Sequence, residues 1–385
     1  MIIVWINKRN WKKPGAILNV SVNNALSFAQ LGFETHLCVG AGMPSDTEND
    51  LRDFYGVAPV PYLKVHRVPH RRIGSSLSST PVYLHAYRLV RALSARDQVV
   101  VFTRDPGFLP LLARLCRRAR AKGFYEPHDF FADLSWRPER RPAYYRDACY
   151  ERLFLPRISG LVCITRHQQA LYAKLFPRLP SCASSLGTHV RPSGTSAEER
   201  RKRRTIAYLG TIHSEKGTDL LLETSSTLGE SGIRVLLLGG KSEHAAVFRN
   251  KAEQLKLGES VRWLPCQPPE KMHRILAEQV SAGTLMLKDT FYNRYLTCPA
   301  KALDYLSFGI PSVASDLPSV REVLGDAGVY VAPDDPHGYM QAVRELLDNP
   351  RRYEEMSDLT RERAGQMTWQ RRAREILAFI SPMLN

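Results

Sequence analysis

The chain has 385 residues, of which 44% are hydrophobic and 24% are charged. This length corresponds to roughly two to three domains and the hydrophobic content is enough for packed cores, so a disordered chain is excluded. The formal net charge is +16, and residues 1–190 carry most of it, with 27 Lys and Arg against 13 Asp and Glu. The electrostatic field of the protein therefore comes mainly from its first half.

The sequence shows no secretory or membrane-spanning pattern. The apolar run from Met1 to Ile6 is too short for the hydrophobic region of a signal peptide, and no run approaches the roughly 18 to 20 apolar residues of a spanning helix. The 7 cysteines are scattered with no C-x-x-C pair, which argues against a disulfide framework and against a zinc site. We therefore expect a reduced, cytoplasmic protein whose contact with a membrane is peripheral, on the cytoplasmic face.

Basic residues form two clusters in the first half, Arg114, Arg117, Arg118, Arg120 and Lys122, and Arg137, Arg140, Arg141 and Arg146. Such clusters attract nucleic acid, anionic lipid or an acidic ligand, or form a solvated face with no partner. No nucleic-acid-binding signature accompanies them and no aromatic residues are interleaved for base stacking, so we expect no nucleic-acid partner. An anionic membrane surface is the favoured partner, and the solvated face stays open as the alternative.

Short β-rich runs alternate with helical stretches along the whole chain, which is typical of α/β proteins with parallel sheets. The strands predicted in the first half are 2–6, 36–39, 99–103, 124–126 and 160–165, with an arginine-rich helix around 111–121. The strands predicted in the second half are 205–209, 233–238, 261–264, 283–287, 312–315 and 329–331, with a helix from near Thr218.

Residues 191–204 contain Pro, Gly, Ser, Thr and mixed charges without apolar periodicity, which predicts an exposed linker. The two domains are therefore placed at 1–190 and 205–367. The tail 368–385 has the pattern of an amphipathic helix, and we expect it to cross back to the first domain.

The segment GTIHSEKG, residues 210–217, follows the first strand of the second half, where open parallel sheets hold their ligands. Glycine lets the backbone approach an anion, and the helix that follows points its free N–H groups at the same place. Lys216 adds a full positive charge. The pattern predicts a diphosphate site, and an ordinary turn with a surface lysine is the alternative.

A second segment, YLTCPAKALDYLSFGIP at 295–311, encodes a short helix with marked ends. Thr297 or Cys298 is the predicted cap residue, a proline follows it, and Gly-x-Pro closes the helix. Lys301 and Asp304 share one face. Asp304 can accept hydrogen bonds from two ribose hydroxyls while amides near Thr297 take phosphate, and a solvated ion pair between Lys301 and Asp304 is the alternative.

These segments resemble the retaining glycosyltransferase family 4, whose GT-B fold has two Rossmann-like domains with parallel sheets facing a central cleft. The family reads G-x-L-x-x-x-K-G and later S-P-x-K-x-x-E-Y-x-x-x-G-x-P, and this chain is similar to it over about 205–350. The resemblance implies that Lys216 contacts the donor diphosphate and is catalytic, and that Asp304 holds the donor ribose. Two positions depart from the family. The arginine that often follows the turn glycine is Thr211 here, and the first acid of the E-x7-E pattern is Leu296.

The resemblance also implies donor contacts by position, at Gly210, Thr211, Gly239, Gly240, Leu264, Thr297, Cys298 and Lys301. In the first half it implies a glycine-rich loop at Gly15 that faces the donor phosphates, and a His128 that is catalytic and touches the transferred sugar. A packed or capping histidine is the alternative for His128. Arg104, at another strand end, is the candidate for contact with the acceptor or a phosphate.

The resemblance implies retaining transfer from a UDP- or GDP-sugar to a hydroxyl acceptor, lipid-linked or acidic, in the synthesis of cell-surface glycans, glycolipids or related glycoconjugates. The nucleotide sugar is a co-substrate, and no cofactor is expected. No Asp-x-Asp triplet occurs, so we expect no metal, and Lys216 with two helix N-termini neutralises the leaving diphosphate. Two alternatives stay open: another enzyme on the same fold, such as a nucleotide-sugar epimerase or a phosphorylase, and a non-catalytic nucleotide-sugar-binding protein.

Overall fold

The computed structural model describes residues 1–13, 15–73, 76–192, 194–212, 217–240 and 250–384. The chain divides into two compact units, of which the first is Met1–Leu186 with Trp369–Asn385 and the second is Gly187–Thr368. Each unit contains a parallel sheet with helices packed against it.

The strands of the first unit are β1 Ile2–Asn10, β2 Thr35–Gly40, β3 Leu63–Val68, β4 Arg71–Ile73, β5 Ser76–Ser78, β6 Val99–Thr103, β7 Ala121–Tyr125, β8 Gly160–Cys163 and β9 Ser181–Ala183. Seven of them form one parallel sheet in the order β3-β2-β1-β6-β7-β8-β9, and β4 and β5 form an antiparallel hairpin. The helices of this unit are α1 Ala16–Gln30, α2 Thr47–Asp53, α3 Thr80–Leu93, α4 Leu109–Arg118, α5 Pro142–Phe154, α6 Arg166–Leu175 and the C-terminal helix Trp369–Ile380. Short 3-10 turns lie at Pro106–Phe108, Leu155–Arg157 and Ser381–Met383.

The core of the first unit lies around β1 and β6, whose residues are buried because helices cover both faces of a parallel sheet. The rings of Trp5 and Phe102 stack there with their centroids 4.6 Å apart. The C-terminal helix adds Ala373, Ile376 and Ile380 to the same core. This helix is therefore a packed element of the first unit.

The strands of the second unit are β10 Thr205–Leu209, β11 Arg234–Leu238, β12 Val261–Leu264, β13 Ala282–Leu285, β14 Ser312–Ser315 and β15 Gly328–Val331. They form a parallel sheet in the order β12-β11-β10-β13-β14-β15. The helices are α7 Ala197–Lys202, α8 Thr218–Glu230, α9 Pro269–Gln279, α10 Ala300–Ser307, α11 Pro318–Leu324, α12 Pro336–Asp348 and α13 Pro350–Gln366. Single turns of 3-10 helix lie at Gly258–Ser260 and Gly325–Ala327, and a π-helical turn at Tyr292–Leu296.

Since β10 is central in this sheet, its carboxyl end lies between those of β11 and β13. The core beneath contains Tyr208, Leu237 and Val313 from the strands and Tyr339 and Tyr353 from the helices. A ligand held at the carboxyl edge of these three strands would lie next to this core.

The segment 191–204, predicted to be an exposed linker, contains a short helix and one buried side chain, while most of its described residues are exposed or half-buried. Ser196 and Glu199 form a capping box that starts α7, because each side chain bonds to the backbone N–H of the other. Arg200 is fully buried, and its guanidinium donates to the Gly309 carbonyl at 2.7 Å. The boundary between the units lies between Leu186 and Gly187, so this segment belongs to the second unit.

Candidate functional site

Three glycines shape the carboxyl edge of β10 and β11. Gly210 and Gly239 have φ angles of +122° and +139°, which other residues rarely adopt. The N–H of Gly240 donates to the carbonyl of Gly210 at 3.1 Å, and a Cβ on Gly239 would come within 2.0 Å of that oxygen. The two strand ends therefore meet at a spacing that only glycine allows, with Thr211 exposed beside them.

Residues 213–216, including Lys216, lie outside the described residues, so its predicted contact with a diphosphate stays a prediction. Helix α8 follows at once, with Gly217 in the left-handed conformation at its cap. A Cβ on Gly217 would come within 1.8 Å of the carbonyl of Met286, just past the end of β13. The helix N-terminus is thus anchored beside the strand ends, where its dipole favours an anion.

A cation that the sequence did not single out lies at the same edge. Lys288 follows β13, and its ammonium is 3.2 Å from a carboxylate oxygen of Asp219 in the first turn of α8. Both side chains are about one-third exposed. The sequence carries one signal for Lys288, because it lies just beyond the buried strand β13, which neighbours β10. This signal was missed because the family often has its arginine at the position of Thr211, and a further cation was expected only there.

The cap assignment of the second motif is wrong. Helix α10 begins at Ala300 with Pro299 in the cap position, so neither Thr297 nor Cys298 caps it. The π-helical turn before it uses the N–H of Thr297, which donates to the carbonyl of Tyr292 at 3.1 Å. That amide is therefore occupied within the chain, and Cys298 is buried.

Lys301 and the glycine edge come together. The Lys301 ammonium lies 3.9 Å from the centroid of the Tyr208 ring, and the Tyr208 hydroxyl donates to the Thr211 carbonyl at 2.6 Å. A cation over an aromatic face is attracted by the ring quadrupole. These contacts hold a positive charge close to the Gly210–Thr211 turn.

Asp304 has a different neighbour. It is half-buried, and the removal of its carboxyl group from water raises its pKa to about 7, while the charge of Arg191 lowers it. Arg191 in turn lies over the Phe308 ring, 5.9 Å from its centroid. A carboxyl group with this pKa is only partly ionised near neutral pH, so ligand hydroxyls that prefer the carboxylate shift its titration.

Leu264 and Leu296 have structural roles. The Leu264 carbonyl accepts from the Gly239 N–H at 2.9 Å, and the Trp263 indole donates to the Gly239 carbonyl at 3.0 Å. Leu264 therefore supports the glycine edge from β12. Leu296, where the family has its first acid, is fully buried at the end of the π-helical turn.

In the first unit, Gly15 precedes α1 with a φ of +122°, and Pro14 lies outside the described residues. A Cβ on Gly15 would meet nothing within 4 Å, so this glycine is needed for its backbone conformation rather than for space. The first turn of α1 carries no acid. This open helix N-terminus is compatible with the predicted phosphate-facing loop.

Arg104 is buried and makes an ion pair with Glu126 at 3.0 Å. Glu126 is itself fully buried and is contacted on its other oxygen by Arg372 of the C-terminal helix, at 2.5 Å. Two buried cations around one buried carboxylate form a structural network. The network favours a positioning role for Arg104 over direct contact with an acceptor.

His128 lies beyond the carboxyl end of β7 and is half-buried. Burial lowers its pKa to about 3, with smaller contributions from the charges of Arg104, Lys8 and Arg9, and a hydrogen bond with the backbone of Arg104 opposes them. The imidazole is therefore neutral near pH 7. In that state one ring nitrogen donates and the other accepts, which suits hydrogen bonds to sugar hydroxyls.

The comparisons with known proteins agree with this geometry. The family model described as Glycosyl transferases group 1 matches residues 203–349, which lie within the second unit. The D-inositol 3-phosphate glycosyltransferase of Corynebacterium urealyticum is 25% identical over 184 residues, which is 45% of this chain and 42% of that protein. The chain thus spans less than half the length of the curated relatives it matches. The family resemblance seen in the sequence is confirmed for the second unit.

Several solved structures resemble the whole chain. A sucrose-phosphate synthase from Thermosynechococcus elongatus has a TM-score of 0.73 and 14% identity, covering 99% of this chain and 98% of its own. The Anabaena protein HepE, in complex with UDP-glucose, has a TM-score of 0.71 and 13% identity, covering 99% and 100%. The predicted GT-B fold is therefore confirmed.

Two features are absent from the described residues. No helix among them is long and apolar enough to cross a bilayer. No three His, Cys, Asp or Glu side chains in the described ranges gather so that they could hold a metal ion. The absence of a metal requirement stays a prediction.

Proposed function

We propose that this protein is a retaining glycosyltransferase that moves a sugar from a nucleotide-diphosphate sugar to a hydroxyl acceptor. The observation that carries the proposal is the glycine edge of β10 and β11 with Lys301 held over Tyr208, inside the segment that matches the family. Backbone that approaches closely, a fixed cation and a helix N-terminus suit a diphosphate.

The donor site is assigned as follows. Lys216 and Lys301, with the N-termini of α8 and α10, neutralise the charge that develops on the leaving diphosphate. Lys288 is added to this set, because its ammonium faces the first turn of α8. Asp304 accepts hydrogen bonds from the ribose. A UDP-sugar is the favoured donor, since HepE has the same fold and was solved in complex with UDP-glucose, and a GDP-sugar is the second choice.

The reaction follows the family's retaining course. The acceptor hydroxyl enters on the face that the diphosphate leaves, and the donor phosphate takes the proton of that hydroxyl, so no protein nucleophile is required. His128 stays neutral and holds a hydroxyl of the transferred sugar. Charge neutralisation by fixed cations makes a metal or other cofactor unnecessary.

The acceptor is proposed to be anionic. The first half of the chain carries most of the net charge, and a relative is named for D-inositol 3-phosphate. A hydroxyl acceptor that bears a phosphate, free or attached to a lipid, fits both facts. We place this step in the synthesis of cell-surface glycans or glycolipids.

One of the two basic clusters supports the proposal that the protein is cytoplasmic and binds the inner face of the membrane. Arg114, Arg117 and Arg118 are exposed on α4, and Arg120, Lys122 and Arg157 line a cavity of about 530 Å³ beyond its end. Leu153, which lies four residues before Arg157 in the sequence, is 54% exposed. The second cluster is less available, because Arg137, Arg141 and Arg146 form ion pairs with Asp129, Glu139 and Asp147.

Sedimentation with vesicles tests the membrane contact. Vesicles that contain phosphatidylglycerol should sediment the protein at low salt and release it at high salt, since screening weakens such contacts. The double variant Arg117→Gln, Arg118→Gln should bind less, whereas the double variant Arg141→Gln, Arg146→Gln is the matched control from the second cluster. Equal sedimentation with neutral and anionic vesicles opposes the proposal.

A non-catalytic role in binding nucleotide sugars is the second candidate, because Leu296 places a buried apolar side chain where the family has its first acid. A thermal-shift screen with UDP, GDP, ADP, TDP and their sugars tests donor binding first. A nucleotide at about 100 times its Kd should add about 2.7 kcal/mol to the unfolding free energy. Product analysis with the nucleotide sugar that binds then separates the two candidates, since only a transferase releases nucleoside diphosphate.

A further inference from the structure

The first residues of the second unit lie beside helix α10 and are bonded to it. The Thr188 hydroxyl donates to the Leu303 carbonyl at 2.7 Å, and the Ser307 hydroxyl donates to the His189 carbonyl at 2.5 Å. The N–H of Arg191 donates to the Ser307 carbonyl at 2.9 Å. These hydrogen bonds hold the segment along the helix that carries the ribose acceptor of the proposed donor site.

The bonded segment places Arg191 on the side of α10 that carries Asp304. Ser307, which binds the backbone of Arg191, follows Asp304 by three residues, so the two lie on one face of the helix. The guanidinium of Arg191 lies over the ring of Phe308, 5.9 Å from its centroid. Burial raises the pKa of Asp304 to about 7, and the charge of Arg191 acts against that rise. Position and charge therefore couple these two residues.

Other ionisable groups surround the pair. Burial lowers the pKa of His189 to about 4 and that of His273 on α9 to about 3, and the charge of Arg191 acts in the same direction on both. Both rings are therefore neutral above about pH 6. The charge of Glu270, in the first turn of α9, acts on Arg191, and burial raises the pKa of Tyr305 well above its usual value.

Two more cations lie on α10 or pack against it. Lys301 is on the helix itself and lies over the Tyr208 ring, and the stem of Arg361 on α13 packs at Gly309. Glutamate, lysine and arginine ordinarily titrate outside the range between about pH 6 and 8.5. The aspartate beside Arg191 is therefore the group of this cluster whose charge changes in that range.

We propose that Arg191 is a positioning residue of the donor site, whose charge keeps Asp304 an acceptor for the ribose hydroxyls of the nucleotide. The inference rests on the proposed function, because it assigns a partner to the ribose contact. A protonated carboxyl group donates from one oxygen, so it accepts fewer hydrogen bonds than a carboxylate does. Arg191 lies outside residues 203–349, so the match with the family does not extend to it.

Removal of the charge should change donor binding in a way that depends on pH. Arg191→Met keeps a flexible stem against the Phe308 ring, and the pKa of Asp304 should rise from about 7 to about 8. The ionised fraction of the carboxyl group then falls about tenfold at about pH 6 and less than about twofold at about pH 8.5. A residue that only supported the fold would show no such dependence.

Calorimetric titration of the full-length protein with UDP at these two pH values is the first test. Arg191→Met should bind UDP about tenfold more weakly than the wild type at about pH 6 and within about twofold of it at about pH 8.5. Proteins are compared at the same pH, so protonation of UDP itself cancels. Arg191→Lys keeps the charge and should bind within about twofold of the wild type at both. Arg351→Met, at an exposed position on α13, is the matched control.

The double variant Arg191→Met, Asp304→Asn separates action through Asp304 from any other role. It should bind UDP as Asp304→Asn alone does at both pH values, because the group through which Arg191 acts is then uncharged. An equal loss at both pH values in Arg191→Met overturns the proposal, and so does a further loss in the double variant. Folding of each variant is checked by its thermal unfolding curve.

A measurement without nucleotide distinguishes this inference from the proposed function. In protein whose aspartate carboxyl groups are isotopically labelled, the NMR signal of Asp304 is the one that disappears in Asp304→Asn. Its titration midpoint should be about one pH unit higher in Arg191→Met than in the wild type. An unchanged midpoint overturns the inference whether or not UDP binds. A shifted midpoint in a protein whose wild type does not bind millimolar UDP contradicts the donor site instead.

Discussion

The ammonium of Lys301 lies 3.9 Å from the centroid of the Tyr208 ring, and the hydroxyl of that ring bonds to the Thr211 carbonyl. One aromatic residue of β10 therefore links the helix of the second motif to the turn of the first. The two segments are about ninety residues apart in sequence, and the sheet brings their polar groups to one edge. A diphosphate site needs the glycine turn of the first motif and the lysine of the second, and this contact brings the two together.

Replacement of Lys301 tests that link. Lys301→Ala should weaken nucleoside-diphosphate binding by about 10- to 100-fold, which corresponds to the loss of one charge-assisted contact. Calorimetric titration with the nucleotide that stabilises the protein measures the change. Lys271→Ala, at an exposed position on α9, is the control and should bind as the wild type does. Unchanged affinity in Lys301→Ala would remove this residue from the site.

Asp304 should show opposite effects on stability and on binding. Its pKa in the folded protein is about 7, above its ordinary value of 3.8, so ionisation opposes folding and the stability of the ligand-free protein falls as the pH rises from about 4 through 7. Asp304→Asn should therefore unfold at a higher temperature than the wild type at about pH 8 and bind the donor more weakly. Thermal unfolding and donor titration measure the two effects.

The matched control for Asp304→Asn is Asp358→Asn, because Asp358 is exposed and pairs with Arg361 at the surface. It should change neither stability nor donor binding by much, since surface pairs contribute at most about 1 kcal/mol. If Asp304→Asn lowers stability at the higher pH, the raised pKa is contradicted. If it leaves donor affinity unchanged, the ribose contact is contradicted.

The buried pair of Arg372 and Glu126 ties the C-terminal helix to the first unit. Arg372→Met removes one of the two cations around a buried carboxylate and should lower the free energy of unfolding by about 3 kcal/mol or more. Urea unfolding followed by circular dichroism gives the value. Arg374→Met, at an exposed position of the same helix, should leave stability nearly unchanged. Similar curves for the two variants would show that the network contributes little.

His128 should act in one protonation state. Its pKa of about 3 means that the imidazole is neutral throughout the range between about pH 5 and 8, so the ratio of wild-type to His128→Gln activity should not change with pH there. His128→Ala should lose about 100-fold in kcat/KM, and His128→Gln, which keeps a donor and an acceptor, should lose less. A ratio that rises or falls near pH 6.5 would indicate a titrating histidine.

The buried strands were readable from the sequence because their apolar runs are continuous. The predicted strands at 99–103, 205–209 and 312–315 coincide with the buried strands β6, β10 and β14. Parallel strands covered on both faces carry such runs, and glycine or polar residues bound them. The edge strand β3 escaped prediction because Lys64, His66 and Arg67 interrupt its apolar residues.

Other features depend on contacts that a linear pattern does not contain. The start of α7 looked like a charged loop, and only the fold reveals that Arg200 finds a carbonyl acceptor in the interior. The π-helical turn that uses the Thr297 amide has no marker in the sequence. Lys288 and Asp219 are distant in sequence and meet because β13 lies next to β10. The glycine edge and Lys301 could be predicted because family motifs mark them.

Release of nucleoside diphosphate from the nucleotide sugar that binds the protein tests the central claim most directly. We expect the wild type and Lys271→Ala to release it at the same rate with a panel of hydroxyl acceptors, including polyol phosphates. Lys216→Ala and Lys301→Ala should release it at least about tenfold more slowly while remaining folded. Binding of the nucleotide sugar without release by the wild type, with every acceptor, would contradict sugar transfer and leave a binding protein.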